Sequence, residues 1–181
     1  MKLAGTPCLG FDGENDEMAV MIKKVGVIGS GQMGNGIAHV AALAGYDVAL
    51  HDVSPDRLKS AMATINGNLT RQAAKKVITE AAHKKALSRI EAVESLDGLA
   101  DCDLVIETAV EKEDVKRKIF QDLCAILKPE AIIGSDTSSI SITRLAASTD
   151  RPERFIGIHF MNPVPLMELV ELVRGIATDD A

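Results

Sequence analysis

At 181 residues, with apolar side chains at 46% and charged ones at 25%, the chain has the composition of one globular domain, or one and a fraction, and not of a disordered segment. A net charge of −6 and an aromatic content of 3% argue against nucleic-acid binding, which wants a basic surface and stacking rings. No apolar run approaches the roughly 18 residues of a membrane-spanning helix, so no membrane partner is expected.

Residues 1–22 carry Asp12, Glu14, Asp16 and Glu17 against Lys2, with three glycines and no periodicity. They lack the basic start and apolar middle of a signal peptide. They read as a flexible N-terminal extension or an upstream linker, foreign to the domain that follows. Three cysteines, Cys8, Cys102 and Cys124, are odd in number and have no metal-type spacing. Reduced thiols in a cytoplasm are the simple reading, with no metal site.

Order is expected from "KKVGVIG", a β-branched run closed by glycine, as in a buried parallel strand. "GQMGNGIAHVAALAG" predicts a helix with Ile37, Val40 and Leu43 near one face and Gly45 as its stop. "YDVALHD" is a second strand. Two helical stretches follow, over 55–73 and 79–88, with Leu58, Met62, Ile65 and Leu69 on one stripe. "DLVIETA" (103–109) is another buried strand. Val115, Ile119, Leu123 and Leu127 then mark one face of a helix that Pro129 ends. "AIIGS" (131–135) and "RFIGIHF" (154–160) are further strands, separated by a short helix around Ser141–Ala147. Alternation of strand and helix predicts an α/β fold: a doubly wound, mostly parallel sheet of Rossmann type, with a helical insertion after the second strand. Residues 23–181 are expected to form this one domain.

The chemistry begins at "GSGQMG", where Gly29, Gly31 and Gly34 have the G-x-G-x-x-G spacing, with Gln32 and Met33 between the last two. Alone the string is weak, since glycine-rich turns are common. Here it follows a strand, opens a helix, and is answered by Asp52 at the end of the next strand, eighteen residues after Gly34. Gly29 suits the tight turn, Gly31 the approach of backbone to a pyrophosphate, and Gly34 close packing of helix on strand. The helix N-terminus offers N–H groups and a positive dipole end to the anion. Asp52 would accept from the adenosine ribose hydroxyls and repel a 2′-phosphate, which favours NAD over NADP. Arg57 is expected to cap or solvate the next helix.

"GIHFMNPVPLMELVE" places His159 at a strand end and Glu171 twelve positions on. By itself a histidine there is more simply a hydrogen-bonded structural residue. Pro163 and Pro165 stiffen the connector and remove ladder donors, so the segment is expected to project from the sheet instead of pairing. A reversal near Pro165 would bring ring and carboxylate opposite each other, as for a general base and its orienting acid. "TSS" at 137–139 could equally be capping for the short helix after it. Residues 55–90 hold eight Lys and Arg against Asp56 and Glu80, either a solvated surface or a field for phosphates.

The segments "VGVIGSGQMGNGIA", "VIETAVEKEDVK", "SDTSSISIT" and "IGIHFMNPVPLMELVE" occur in the order found in the L-3-hydroxyacyl-CoA dehydrogenases. From about Lys23 to Gly175 the chain resembles the N-terminal domain of that family, and within it the bacterial 3-hydroxybutyryl-CoA type. The resemblance implies an NAD-dependent oxidoreductase of fatty acid metabolism (β-oxidation chemistry), acting at C3 of an acyl-CoA, cytoplasmic, and a homo-oligomer at full length. It implies His159 as the base, Glu171 as its partner, and Ser138 and Asn162 as polar residues around the reacting carbon and nicotinamide. Glu111 and Lys116 are implied as cofactor-side contacts, and the basic insert as a border of the CoA site. Two departures are expected to matter. Asp136 stands where the family commonly has Asn, and the family's C-terminal helical domain is absent from these 181 residues. Rival readings are a small hydroxy-acid dehydrogenase, which would lack the His159–Glu171 pair and the basic insert, and a non-catalytic NAD-binding or redox-sensing module.

Overall fold

The computed structural model describes residues 21–180. The expected extension therefore lies almost wholly outside the described residues, as does Cys8. Ile22, at the inner end of that extension, packs against the apolar core.

The sheet has seven strands: β1 (Lys24–Ile28), β2 (Asp47–His51), β3 (Ile90–Val93), β4 (Leu104–Glu107), β5 (Ile132–Ser135), β6 (Phe155–Phe160) and β7 (Val170–Arg174). Their spatial order is β3-β2-β1-β4-β5-β6-β7. All neighbours are parallel except β6 and β7, which are antiparallel. The helices are α1 (Gln32–Ala44), α2 (Pro55–Ala74), α3 (Glu80–Leu87), α4 (Glu113–Cys124) and α5 (Ile142–Ala146). The doubly wound α/β expectation holds, with α2 and α3 as the insertion after the second strand.

Two strands were not expected. "IEAV" of β3 has only its two end residues buried, and Glu91 interrupts the apolar run that would have marked it. β7 is exposed at all five residues, so it carries no burial signal. Residues 161–169 do project, but the chain then returns to pair with β6, which corrects the expectation that the whole segment leaves the sheet.

Two apolar clusters lie on the two faces. On one, Val25, Val27 and Leu50 meet Ile37 and Ala42 of α1 and Leu58, Ile65 and Leu69 of α2. The buried residues of α1 are small ones together with Ile37 and His39; Val40 and Leu43 are only partly covered. On the other, Phe120 of α4 meets Phe155 edge-on at 4.9 Å, among Leu123, Ile133 and Leu145. The face of α4 also differs from the expected stripe: Lys116, Phe120 and Leu123 are buried, whereas Val115 is 39% exposed. The helix closes at Cys124, five residues before Pro129.

Register fixes the working edge. Ile28 pairs with both His51 and Glu107, Glu107 with Ser135, and Ser135 with Gly157. The residues just past the carboxyl ends, among them Gly29, Asp52, Thr108 and Asp136, consequently lie in one row. The order reverses between β1 and β4, and this switch point is where open α/β sheets bind ligands.

Candidate functional site

The row opens with the glycine turn. Gly29 has φ +93°, a conformation that side chains rarely adopt. A Cβ on Gly34 would sit 1.7 Å from the carbonyl oxygen of Gly29, so only glycine lets α1 start this close to β1. Around Gly31, by contrast, a Cβ would meet nothing within 4 Å, which is open space for a ligand. Gly31 caps α1 without any side-chain hydrogen bond, and no acid lies in the first turn. These N–H groups and the dipole end are left for an anion. That is the arrangement a dinucleotide pyrophosphate requires, so the residues fit the cofactor.

Beside the turn, a cleft of about 550 Å³ is lined by Gly29, Gly31, Asp52, Val53, Val110 and Val115, among others. Asp52 is buried. Its Oδ2 accepts from the amide and hydroxyl of Ser30, both at 2.9 Å, and its Oδ1 from the Ser54 amide at 3.0 Å. Burial pulls its carboxyl upward; the bonds from Ser30 and Ser54 and the charge of Arg57 outweigh this and leave it below the ordinary carboxylate value. Arg57 Nε lies 3.6 Å from Asp52. Its expected role is thus corrected: its amide bonds the Ser54 cap, but its guanidinium partners the acid. Gln32 donates from Nε2 to Asn162 Oδ1 at 3.0 Å, tying the start of α1 to the proline turn. Met33 packs against the core.

At the far end, β6 and β7 place His159 directly opposite Glu171. His159 Nδ1 and Glu171 Oε2 are 2.8 Å apart, with the side chains 25% and 50% exposed. A carboxylate only accepts, so Nδ1 carries the hydrogen, and in the neutral ring Nε2 keeps its lone pair. The reversal near Pro165 is real, and the expected pair is assembled. Ser138 lines the same cavity of about 360 Å³. "TSS" is not the cap of α5; that role falls to Ser141, which accepts from the Arg144 amide.

Glu111 and Lys116, expected on the cofactor side, are paired with each other just past the end of β4. Lys116 is 1% exposed, and its Nζ donates to both carboxylate oxygens of Glu107, at 2.7 and 2.9 Å. Glu111 Oε2 is 3.4 Å from the same nitrogen, and its Oε1 accepts from Thr137 and Ser139. For the Glu111 carboxyl, burial raises the proton affinity, but the two hydroxyls and Lys116 outweigh it and lower it overall. Lys116 therefore stands behind the wall of the site. Glu107 and Ser135 were missed by sequence reasoning. The available signal was the charge at the end of an otherwise apolar strand, which demands a buried partner.

Asp136 accepts from the Phe160 amide at 2.8 Å, next to His159. Burial pushes its carboxyl up to about 6, against the lowering effects of the Phe160 amide and of the His159 and Lys116 charges. A carboxyl raised in the fold binds its proton more tightly folded than unfolded, so its contribution favours the fold at acid pH and is lost between the ordinary value near 4 and about 6. Asp136→Asn is thus expected to raise the melting temperature above pH 6, with the gain shrinking to nothing towards pH 4. Melting curves across that range check it; a gain independent of pH would contradict it.

Among the described residues no cluster of three His, Cys, Asp or Glu could hold a metal ion. None of the described helices is long and apolar enough to cross a membrane.

Comparison with known proteins agrees with this geometry. Residues 24–181 match the family model described as 3-hydroxyacyl-CoA dehydrogenase, NAD binding domain. The chain is 84% identical over 164 residues to 3-hydroxybutyryl-CoA dehydrogenase of Bradyrhizobium diazoefficiens, covering 91% of this chain and 56% of that one. It is 49% identical over 157 residues to the probable 3-hydroxybutyryl-CoA dehydrogenase of Deinococcus radiodurans, covering 87% and 56%. The crystal structure of (S)-3-hydroxybutyryl-CoA dehydrogenase from Ralstonia eutropha superposes with a TM-score of 0.86 at 48% identity, covering 88% of this chain and 56% of that one. The chain thus spans about half the length of the curated relatives it matches. With its glycine turn, switch-point crevice and His–Glu pair in place, the chain belongs to the NAD-binding domain family of the 3-hydroxyacyl-CoA dehydrogenases.

Proposed function

We propose that this chain supplies the cofactor-binding half of an NAD-dependent dehydrogenase acting at C3 of a 3-hydroxyacyl-CoA, of the 3-hydroxybutyryl-CoA type. The observation that carries the reading is the His159–Glu171 pair, 2.8 Å apart at the carboxyl edge of the sheet. When bound, NAD accepts or returns the two electrons and the hydrogen at C3. The rest falls to the chain's own residues. Glu171 holds the Nδ1–H tautomer, so Nε2 takes the proton of the substrate hydroxyl, and the carboxylate offsets the positive charge that forms on the ring. Ser138 lines the same cavity and offers a hydroxyl to the substrate oxygen. Gly29, Gly31, Gln32, Met33 and Gly34 form the pyrophosphate turn, Asp52 reads the ribose, and Glu111, Lys116 and Asn162 support the nicotinamide side.

A second cleft of about 460 Å³ lies between α1, α2 and the Asn162–Pro165 turn, with Arg57, Ser60, Thr64 and Asn68 along its α2 wall. Arg57 lines this cleft, and with the exposed cations of the 55–90 insert, Lys59, Arg71 and Lys75 among them, it makes a field suited to the phosphates of CoA. A cytoplasmic site of action and a homo-oligomeric full-length enzyme belong to the same reading.

His159 and Glu171 sit on an open face, and an open, wet site forfeits much of what positioning contributes. The test is NADH oxidation driven by acetoacetyl-CoA, run on this chain and on a fusion to the remaining half of the Bradyrhizobium relative. The fusion is expected to turn over and the chain alone to be slower by orders of magnitude. An inactive fusion that still binds NADH would sink the assignment, and equal rates would show that the added half contributes nothing to turnover.

A further inference from the structure

We propose that Glu107 is a positioning residue: acting through Ser135, Lys116 and Glu111, it holds the Thr137–Ser139 loop and thereby sets where Ser138 meets the His159–Glu171 pair. The inference rests on the proposed function for its purpose, though not for its geometry.

Glu107 ends β4 and is fully buried. Its Oε1 accepts from the Ala109 amide at 2.6 Å, and both of its oxygens take Lys116 Nζ. Its Oε2 also accepts from the hydroxyl of Ser135, the last residue of β5, at 2.8 Å. One carboxylate thus ties together the ends of two central strands, the turn between β4 and α4, and α4 itself.

The connection continues outward. Lys116 reaches Glu111, whose other oxygen accepts from the hydroxyls of Thr137 and Ser139. Thr137 Oγ1 in turn accepts from the Ile140 amide at 3.1 Å. The residues on either side of Ser138 are therefore anchored to Glu111, while Ser138 itself stays exposed in the cavity beside His159. Without Lys116, Glu111 could swing to solvent and release both hydroxyls.

Stability alone does not account for this pair. A buried ion pair contributes little net stability, because desolvation consumes most of the attraction, and an apolar pair of equal volume often serves as well. What the charges do supply is direction: each carboxylate oxygen has a defined partner, and hydrogen bonds joined by the Lys116–Glu111 ion pair connect β4 to the loop. The same logic explains why α4 buries a lysine on its sheet-facing side.

The test is residue-resolved amide hydrogen exchange on the 181-residue chain carrying Glu107→Gln. The Ser139 and Ile140 amides are expected to exchange about tenfold faster, relative to any change at Val27 and Leu50 in the core strands. Ser135→Ala, which cuts one link without stranding a charge, should give the same local pattern at smaller amplitude and serves if Glu107→Gln does not fold. Glu111→Gln, which keeps an acceptor at the joint, should retain protection that Glu111→Ala loses. Unchanged loop exchange, or a rise no greater than that at Val27 and Leu50, would overturn the proposal. Because no substrate enters the measurement, such a result leaves the proposed reaction standing, and an inactive fusion leaves this inference standing.

Discussion

Replacing His159 with Asn is expected to lower the turnover of acetoacetyl-CoA by the fused enzyme about 10²- to 10⁴-fold, the range that positioned general acid–base catalysis contributes. NADH affinity should be unchanged, because the ring lies at the β6–β7 end of the row and the glycine turn at the β1 end. Glu171→Gln should give a smaller fall in turnover. The amide can still accept from Nδ1–H, but it can equally donate to that nitrogen and so favour the tautomer with Nε2 protonated. It also removes the charge that offsets the imidazolium. The check is steady-state kinetics with NADH affinity measured on the same preparations. Retention of turnover within about tenfold in His159→Asn would mean that another group moves the proton.

The second large effect separates fold from binding within one turn. Gly34→Ala places a methyl 1.7 Å from the Gly29 carbonyl oxygen, and backbone cannot step aside as a side chain could. α1 must lift from β1, an overpacking cost at or above the upper end of about 1–3 kcal/mol. For a domain of this size, each kcal/mol corresponds to roughly 2–4 °C in melting temperature. A fall of about 6–12 °C is expected, together with loss of NADH binding as the turn opens. Gly31→Ala is the opposite case. The added methyl meets nothing within 4 Å and the backbone is extended, so the fold should be untouched. The methyl would nevertheless stand where the pyrophosphate approaches, and NADH affinity should drop. Melting curves and NADH titrations on both variants check this; identical behaviour of the two would contradict the geometry of the turn.

Much of this site was legible because its signals are local. The strand–turn–helix run around "GSGQMG" and the acid at the end of the next strand follow from backbone conformation and spacing within 24 residues, and the register aligns them as expected. The His159–Glu171 pair was legible from the symmetry of its prolyl connector. What stayed hidden depends on partners distant in sequence. The true face of α4 contains Lys116, which an apolar count assigns to solvent; Glu107, nine positions away and itself bonded by Ser135, makes its burial tolerable, with Glu111 alongside. Val115 was misplaced for the same reason, since it lies on the cofactor-cleft side of the helix. β3 and β7 were missed because edge strands owe their existence to a neighbour's ladder and not to their own burial.

The claim on which the account turns is that the crevice between β1 and β4 is a dinucleotide site in which Asp52 reads the ribose. The most direct measurement is a parallel titration of the unmodified 181-residue chain with NADH and NADPH. Asp52 holds its charge below the usual carboxylate range, so a 2′-phosphate beside it would meet an ionised acid at neutral pH. The account predicts clear binding of NADH, far weaker binding of NADPH, and a narrowed gap in Asp52→Ala. Equal affinity for the two cofactors, or binding of neither, would contradict it.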